Sequence, residues 1–195
     1  MTPSQYTGRR TFAELLADRK GQLEHSRYPE QVMAIVAALT DAFRRGNKVL
    51  WFGNGGSAAD AQHLAAEFSG RFLRDRGGLP SEALTVNTSA VTAIANDFGY
   101  EQLFARMVEA LAKPGDVVVG ITTSGTSKNV VRGLEAAKKI GATTIAFTGN
   151  GGGAVADVSD LILLGPDGYS AIVQEVHITM GHIICDLVEQ ELLFA

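Results

Sequence analysis

Two residues on one predicted helix could transfer protons or bind a metal. His63 and Glu67 are four residues apart in an Ala-rich stretch that predicts a helix over 58–72, and side chains at that spacing share one helix face. Most of their neighbours are Ala, Leu or Phe, which favours a largely buried helix on which His or Glu needs a partner. An exposed surface pair is the alternative.

A second polar group lies on the predicted last helix, over 170–193. It contains Gln174, Glu175, His177 and His182. Gln174 and His182 are eight residues apart, so they point about 80° from each other around the helix and can line one pocket. A single helical histidine is also compatible with a purely structural role.

Imidazole and carboxylate groups together suit aldose–ketose isomerisation. A base removes the proton alpha to the carbonyl, and an acid serves the oxygens of the enediol or enediolate intermediate. In the alternative interpretation, His63, Glu67 and His182 bind a divalent metal with Gln174, although an amide oxygen is a less usual zinc ligand. Asn96 and Asp97 follow a predicted short helix over 90–95 and form either another site pair or a helix-ending turn.

Two loops have the composition of phosphate-binding loops. The segment 53–58 (GNGGSA) follows one predicted strand, and the segment 122–127 (TTSGTS) follows another. Glycines let backbone amides approach an anion, and a helix start adds unpaired donors, while Ser and Thr hydroxyls supply further hydrogen bonds. Ordinary turns are the alternative. A dinucleotide fold is disfavoured because the next strand ends Leu84-Thr85-Val86-Asn87 without an acid.

The order of predicted elements indicates an α/β fold. Apolar runs predict strands over 48–52, 82–86, 116–122, 143–148 and 161–164. Helical patterns separate these runs, which is typical of a mainly parallel sheet covered on both faces. In such a sheet, ligands bind beyond the carboxyl ends of the strands, where both loops would lie.

Composition excludes several classes of function. The 195-residue chain has a formal charge of −4 and no conspicuous basic cluster, which argues against a nucleic-acid groove. Cys185 is its one cysteine, so an internal disulfide and a Cys-rich zinc site are excluded. Residues 1–20 contain no apolar run of the signal-peptide type, and no stretch of about 18 apolar residues suggests a membrane span. We therefore expect a cytoplasmic protein that acts on a small molecule.

Five motifs resemble the sugar isomerase (SIS) family, specifically its phosphoheptose isomerases. The motifs are GNGGSAADAQHLAAEF (53–68), VTAIANDFGY (91–100), ITTSGTSKNV (121–130), FTGNGGG (147–153) and QEVHITMGHIICDLVE (174–189). The resemblance extends over residues 49–194. It implies a three-layer αβα sandwich with a central parallel, flavodoxin-like sheet. Residues 47–195 would form the SIS domain, and residues 1–46 a helical arm that packs on it and on neighbouring subunits.

The resemblance also implies an activity. Members of this family are homotetramers that convert D-sedoheptulose 7-phosphate to D-glycero-D-manno-heptose 7-phosphate, the first step toward nucleotide-activated heptoses for surface polysaccharide or lipopolysaccharide. One Zn²⁺ per subunit is implied as cofactor, with no nucleic-acid or membrane partner.

Residue roles are carried over motif by motif. The resemblance implies that the phosphate is bound by Ser57, Thr122, Thr123, Ser124 and Ser127. It implies that the rest of the substrate is bound by Asn54, Gly55, Gly56, Glu67, Asn96, Asp97 and Gln174. The zinc ligands would be His63, Glu67, Gln174 and His182. Glu67 would also be the general base and His182 the general acid; since a tightly ligated carboxylate or imidazole is poorly free to move protons, metal and direct acid–base chemistry are alternatives here.

Three departures and two alternatives accompany this assignment. Asp167 replaces a hydroxyl residue, Ile172 replaces a cation expected near the site entrance, and Thr122 stands where Ser is usual, so substrate choice could differ. A non-catalytic SIS-fold protein, either a phosphosugar binder or an associate of replication initiators, would lack the acid–base pair. Glu67 and His182 are present, which favours an enzyme. An isomerase of another phosphosugar stays open.

Overall fold

The computed structural model describes residues 9–194 and has a parallel five-stranded sheet at its centre. The strands are β1 (Val49–Gly53), β2 (Ser81–Ala83), β3 (Val117–Thr122), β4 (Thr143–Thr148) and β5 (Leu161–Leu164). Their order in the sheet is β2-β1-β3-β4-β5, and every neighbouring pair is parallel. This is the flavodoxin-like order, in which the strand order reverses between β1 and β3.

Eight α-helices accompany the described strands. They are α1 (Phe12–Leu23), α2 (Tyr28–Arg44), α3 (Gly56–Ser69), α4 (Thr88–Phe98), α5 (Leu103–Leu111), α6 (Lys128–Ile140), α7 (Ala154–Val158) and α8 (Ser170–Leu193). A short 3₁₀ turn, Tyr100–Gln102, precedes α5.

The helices cover both faces of the sheet because strand side chains alternate between two cores. In β1, Trp51 joins the core made with α2, α3 and α8, where its ring stacks near Phe68. Phe52 joins the opposite core made with α5 and α6, and its ring stacks on Phe104 at 4.7 Å. The predicted three-layer αβα fold is therefore confirmed.

The N-terminal helices differ in how they join this body. α2 contributes eight buried residues, among them Ile35 and Leu39, so it is part of the core. α1 has no buried residue and is tied to α8 by an ion pair between Arg19 and Glu175 at 3.0 Å. The first eight residues of the predicted 1–46 arm lie outside the described residues, and its contact with neighbouring subunits stays a prediction.

Two predicted helices have different bounds. The helix expected over 58–72 begins at Gly56 and ends at Ser69, because Gly70 caps it and the chain then turns. The short helix expected over 90–95 is α4, which is longer because the Asn87 side chain caps the Ala90 amide and Gly99, with φ 83°, ends it. Asn96 and Asp97 therefore lie within the last turn of α4 rather than after a helix.

α8 is the long apolar helix of the core. Among the described helices it alone has the length and composition to cross a membrane, but half of that window is buried inside the fold, as in core helices of soluble proteins. His177 on α8 is fully buried, and its Nε2 lies 2.9 Å from the Thr148 carbonyl oxygen. Burial lowers the pKa of His177 to about 4, so this imidazole is neutral near pH 7.

Candidate active site

The two Gly- and hydroxyl-rich loops meet where the strand order reverses. β1 and β3 are hydrogen-bonded neighbours, and their carboxyl ends lead into the loops at 54–55 and 123–127. A cavity of about 150 Å³ opens between these loops and the start of α8. It is lined by Asn54, Ser57, Ile121, Thr122, Thr123, Ser127, Ser170 and Gln174. A ligand is expected at this position of an open parallel sheet.

Five hydroxyl residues of this cavity form what we call the hydroxyl cradle: Ser57, Thr122, Thr123, Ser127 and Ser170. The Thr122 and Ser127 hydroxyl oxygens are 2.9 Å apart, and Thr123 donates to Ser170 at 3.1 Å. Ser124 does not line the cavity; it is exposed and accepts a bond from the Thr126 amide at 3.3 Å. Four of the five predicted phosphate residues thus share one cavity, and Ser170 is an addition to them.

The start of α3 is packed closely against α8 beside the cradle. A Cβ placed on Gly56 would lie 2.5 Å from the Gln174 side-chain nitrogen. A larger residue at position 56 would therefore displace Gln174, which lines the cavity. This contact explains Gly56 as a packing requirement, while Gly55, with φ 56°, has a backbone conformation that favours glycine.

A reciprocal amide pair connects the first loop to α6. Asn54 donates to Asn129 at 2.9 Å, Asn129 donates back at 2.8 Å, and the Tyr100 hydroxyl donates to Asn54 at 2.9 Å. Asn129 is buried, with 5% of its surface exposed. The pair holds the two cradle loops in a fixed relation. Sequence reasoning missed Asn129 and Tyr100, although both lie inside quoted motifs.

The loop after β4 packs against the second cradle loop, residues 122–127. Gly125 has φ 70°, and a Cβ there would lie 2.1 Å from the Gly152 carbonyl oxygen. Asn150, with φ 51°, donates through its side chain to the Thr123 carbonyl oxygen at 3.0 Å and accepts from the Gly168 amide at 3.0 Å. The motif FTGNGGG is therefore the support of the 122–127 loop.

His63, Glu67 and His182 form a compact group, the His–Glu–His cluster. The Nε2 atoms of the two histidines are 2.8 Å apart, and His63 Nε2 lies 3.3 Å from Glu67 Oε1. The structure thus brings together side chains that are more than 110 residues apart in the sequence.

Asp60 lies one turn before His63 on α3, and sequence reasoning missed it. Its Oδ2 is buried and has no hydrogen-bond partner among residues 9–194. Burial raises the pKa of Asp60 to about 6, and the nearby His63 partly opposes this shift. Asp60 is therefore an additional proton-binding group beside the cluster. The sequence could have pointed to it, because residues three apart on a helix lie on the same face and Asp60 is three residues before His63.

Cradle and cluster lie along the same two helices. α3 and α8 start together, with Gly56 against Gln174, and remain in contact further along, with Leu64 against the site of a Cβ on Gly181. Both helices therefore run in the same direction from the cradle. His63 lies seven residues after Gly56 and His182 eight after Gln174, so the two histidines lie about 10–12 Å further along the helix axes, and the Glu67 carboxylate is 3.3 Å from His63.

Four residues singled out from the sequence lie elsewhere. Asn96 and Asp97 are exposed on α4 and bonded to each other at 2.8 Å, and they do not line the cavity. Glu175 faces α1 through its ion pair with Arg19. Ile172 is buried beside Arg19 and Gln22 rather than near the cavity mouth, which corrects its expected place at the site entrance.

The cluster has the donor set of a zinc site. Its three potential ligand atoms lie within 4.8 Å of one another, a span that fits ligands arranged about 2 Å from one ion. Two imidazoles and a carboxylate form a frequent catalytic zinc set that leaves a position for substrate. Gln174 is at the cradle, two helix turns from His182, so the structure groups three of the four predicted ligands.

Comparison with known proteins agrees with this geometry. The SIS domain family model matches residues 17–149. The phosphoheptose isomerase of Aquifex aeolicus is 54% identical over 84% of this chain and 85% of its own length. The chain belongs to the phosphoheptose isomerase family of SIS-domain proteins. The predictions of family and of an aldose–ketose isomerase are thereby confirmed.

Solved structures of the phosphoheptose isomerase family share the fold. The phosphoheptose isomerase of Neisseria gonorrhoeae superposes with a TM-score of 0.84 at 38% identity, covering 92% of this chain and all of its own. That of Francisella tularensis gives 0.86 at 33% identity, covering 92% and 95%. The likeness therefore extends over nearly the whole chain.

Proposed function

We propose that the chain converts D-sedoheptulose 7-phosphate to D-glycero-D-manno-heptose 7-phosphate, the first step toward nucleotide-activated heptoses for surface polysaccharide. The relatives named above are phosphoheptose isomerases. The observation that carries the proposal is the placement of the His–Glu–His cluster beyond the hydroxyl cradle along α3 and α8.

The separation of cradle and cluster fits the length of a seven-carbon ketose phosphate. An extended chain advances about 1.2 Å per bond, so the eight bonds from C1 to phosphorus span about 10 Å. That is close to the 10–12 Å between the two groups along the helices. With its phosphate in the cradle, an open-chain substrate would present C1 and C2 to the cluster.

In the proposed reaction, Glu67 and His182 move protons between C1, C2 and their oxygens. Glu67 removes a proton from C1 of the ketose while His182 gives a proton to the C2 carbonyl oxygen, which forms an enediol. His182 then takes the proton from the C1 hydroxyl, and Glu67 returns a proton to C2. The C1 carbonyl of the aldose results, and both side chains regain their starting states.

The phosphate end contributes binding and orientation. Ser57, Thr122, Thr123 and Ser127 would donate hydroxyl hydrogen bonds, and the amides at the starts of α3 and α6 would face the anion. Ser124 is a further phosphate candidate. Asn54, Gly55, Gly56, Asn96, Asp97 and Gln174 are proposed to bind the sugar, Asn96 and Asp97 from α4 outside the cavity lining.

The cluster is also the proposed zinc site, with His63, Glu67 and His182 as its ligands; Gln174, the fourth ligand that the resemblance implies, lies two helix turns away at the cradle. A bound divalent ion would polarise the oxygens that carry charge in the intermediate. We expect about one zinc per subunit in desalted protein and a loss of most of it in His63→Ala. Equal metal in both proteins, measured by elemental analysis, would exclude this site.

We further propose a homotetramer in which the 1–46 arm contacts neighbouring subunits. α1 exposes Phe12 by 79%, and an apolar groove of about 460 Å³ lies between the start of α2 and α8. Uncovered apolar surface of this size favours an interface with a second copy. Sedimentation analysis that gives a monomer would contradict the proposed homotetramer.

The single buried Cys185 agrees with a cytoplasmic location.

The substrate assignment is tested with a panel of five- to seven-carbon ketose phosphates and NMR detection of the aldose. We expect sedoheptulose 7-phosphate to be turned over best. Shorter ketoses cannot reach both groups, and a misplacement of about 1 Å costs about 100-fold. Equal turnover of fructose 6-phosphate would contradict the seven-carbon assignment, and no turnover of any member would contradict the isomerase itself.

A further inference from the structure

The turn between α3 and β2 is fastened by a buried carboxylate of α8. Glu189 is fully buried and accepts hydrogen bonds from three consecutive amides, those of Phe72 at 2.8 Å, Leu73 at 3.0 Å and Arg74 at 2.9 Å. Burial acts to raise its pKa, but these donors hold the pKa of Glu189 below its usual value. Successive amides that converge on one anion form a rigid nest.

Arg76 completes this arrangement and reaches α3. Its Nε donates to Glu189 at 2.9 Å, and 5% of its side chain is exposed. Its other nitrogens donate to the carbonyl oxygens of Glu67 at 2.8 Å and Phe68 at 2.8 Å. These carbonyls are in the last turn of α3, where helical partners are missing. Arg76 therefore fixes the backbone that carries Glu67.

The fastened turn places one aromatic ring against the cluster. Phe72 stacks on the His182 imidazole, with centroids 5.5 Å apart and planes 26° apart. His63 contacts the same imidazole, with centroids 5.0 Å apart. The His182 ring thus contacts both Phe72 and His63, and packing against two rings limits rotation about its side-chain bonds.

We propose that Phe72 is a positioning residue that orients the His182 imidazole, and that Glu189 and Arg76 hold it there by fixing the 70–77 turn. This inference rests on the proposed function, in which His182 transfers protons. A catalytic imidazole must be aligned closely with its partner atoms, and residues that fix such rings commonly change rates by 10- to 100-fold. No contact between Phe72 and substrate is required.

Phe72→Leu tests this role because the residue is half-buried and the turn is held by backbone bonds. We expect kcat to fall about tenfold while KM stays within about twofold, because the cradle is unchanged. Phe72→Tyr keeps the ring and should restore kcat. Asp75→Ala, an exposed change in the same turn, is the matched control and should behave as wild type.

Nitrogen-15 NMR of the four histidines supplies a readout that does not need turnover. We expect the His182 ring signals to shift or broaden in Phe72→Leu, while those of His25 and His177 stay in place. Unchanged His182 signals with wild-type kcat would overturn the proposal, as would a loss in Phe72→Leu that Phe72→Tyr does not restore. If wild type turns over no sugar phosphate, the proposed function fails, and the His182 signals still decide whether Phe72 orients that ring.

Discussion

Glu67→Gln should lower kcat by about 10²- to 10⁴-fold, the usual contribution of a general base. The amide has the shape of the carboxylate but cannot accept the C1 proton. Glu67 lies 3.3 Å from His63 and one turn further along α3, far from the cradle hydroxyls. Substrate binding through the phosphate should therefore persist, and calorimetry with the non-reacting variant measures it directly.

Glu135→Gln is the matched control for this substitution. It makes the same chemical change on an exposed residue of α6, and its kcat should stay within about twofold of wild type, as is usual for surface changes. Zinc content must be measured alongside, because Glu67 is also a proposed ligand. Retained turnover in Glu67→Gln would remove this residue from the base role.

Gly125→Ala should raise the KM for the sugar phosphate by about 100-fold, because the cradle loop must move by about 1 Å or more. The added Cβ would lie 2.1 Å from the Gly152 carbonyl oxygen and 2.9 Å from Gly153 Cα. Neither neighbour is a flexible side chain, so the 122–127 loop must separate from the loop after β4. Inhibition by inorganic phosphate should weaken in parallel, which makes it a second measure of the cradle.

Gly151→Ala separates backbone strain from this collision. Gly151 also has a positive φ, 78°, but a Cβ there would meet nothing within 4 Å. Both substitutions carry a left-handed strain of about 1–2 kcal/mol, so both should lower the melting temperature. KM should change in Gly125→Ala alone. An equal rise in KM for both would show that strain, rather than the packing of the two loops, accounts for the effect.

The fold and the cradle were accessible from the sequence because local patterns encode them. Short apolar runs that end in Gly, Ser and Thr predict strands followed by loops, and the β4 and β5 bounds agree with the prediction. The i,i+4 spacing of His63 and Glu67 places both on one face of α3, as the structure has them. The residue types alone offered their grouping with His182 as one alternative, and the family resemblance singled it out.

Other parts of the site depend on tertiary contacts that no local pattern reports. Asn129 and Tyr100 reach Asn54 from separate elements, and Glu189 binds a turn more than 110 residues earlier in the chain. No local sequence pattern distinguishes Glu189 or Phe72 from other residues of a core helix or a surface turn. The predicted place of Ile172 at the site entrance was wrong because its side chain lies on the face of α8 that packs against α1, and the sequence alone does not show which face that is.

The central claim is that a proton leaves C1 and a proton returns to C2 through an enediol. It is tested most directly by isomerising sedoheptulose 7-phosphate in D₂O and examining C2 of the aldose product by NMR. Proton transfer through Glu67, whose side chain is 22% exposed and can exchange protons with solvent, predicts deuterium at C2. Product that carries no deuterium at C2 even after many reversible turnovers would indicate direct hydride transfer between the carbons and would contradict the account.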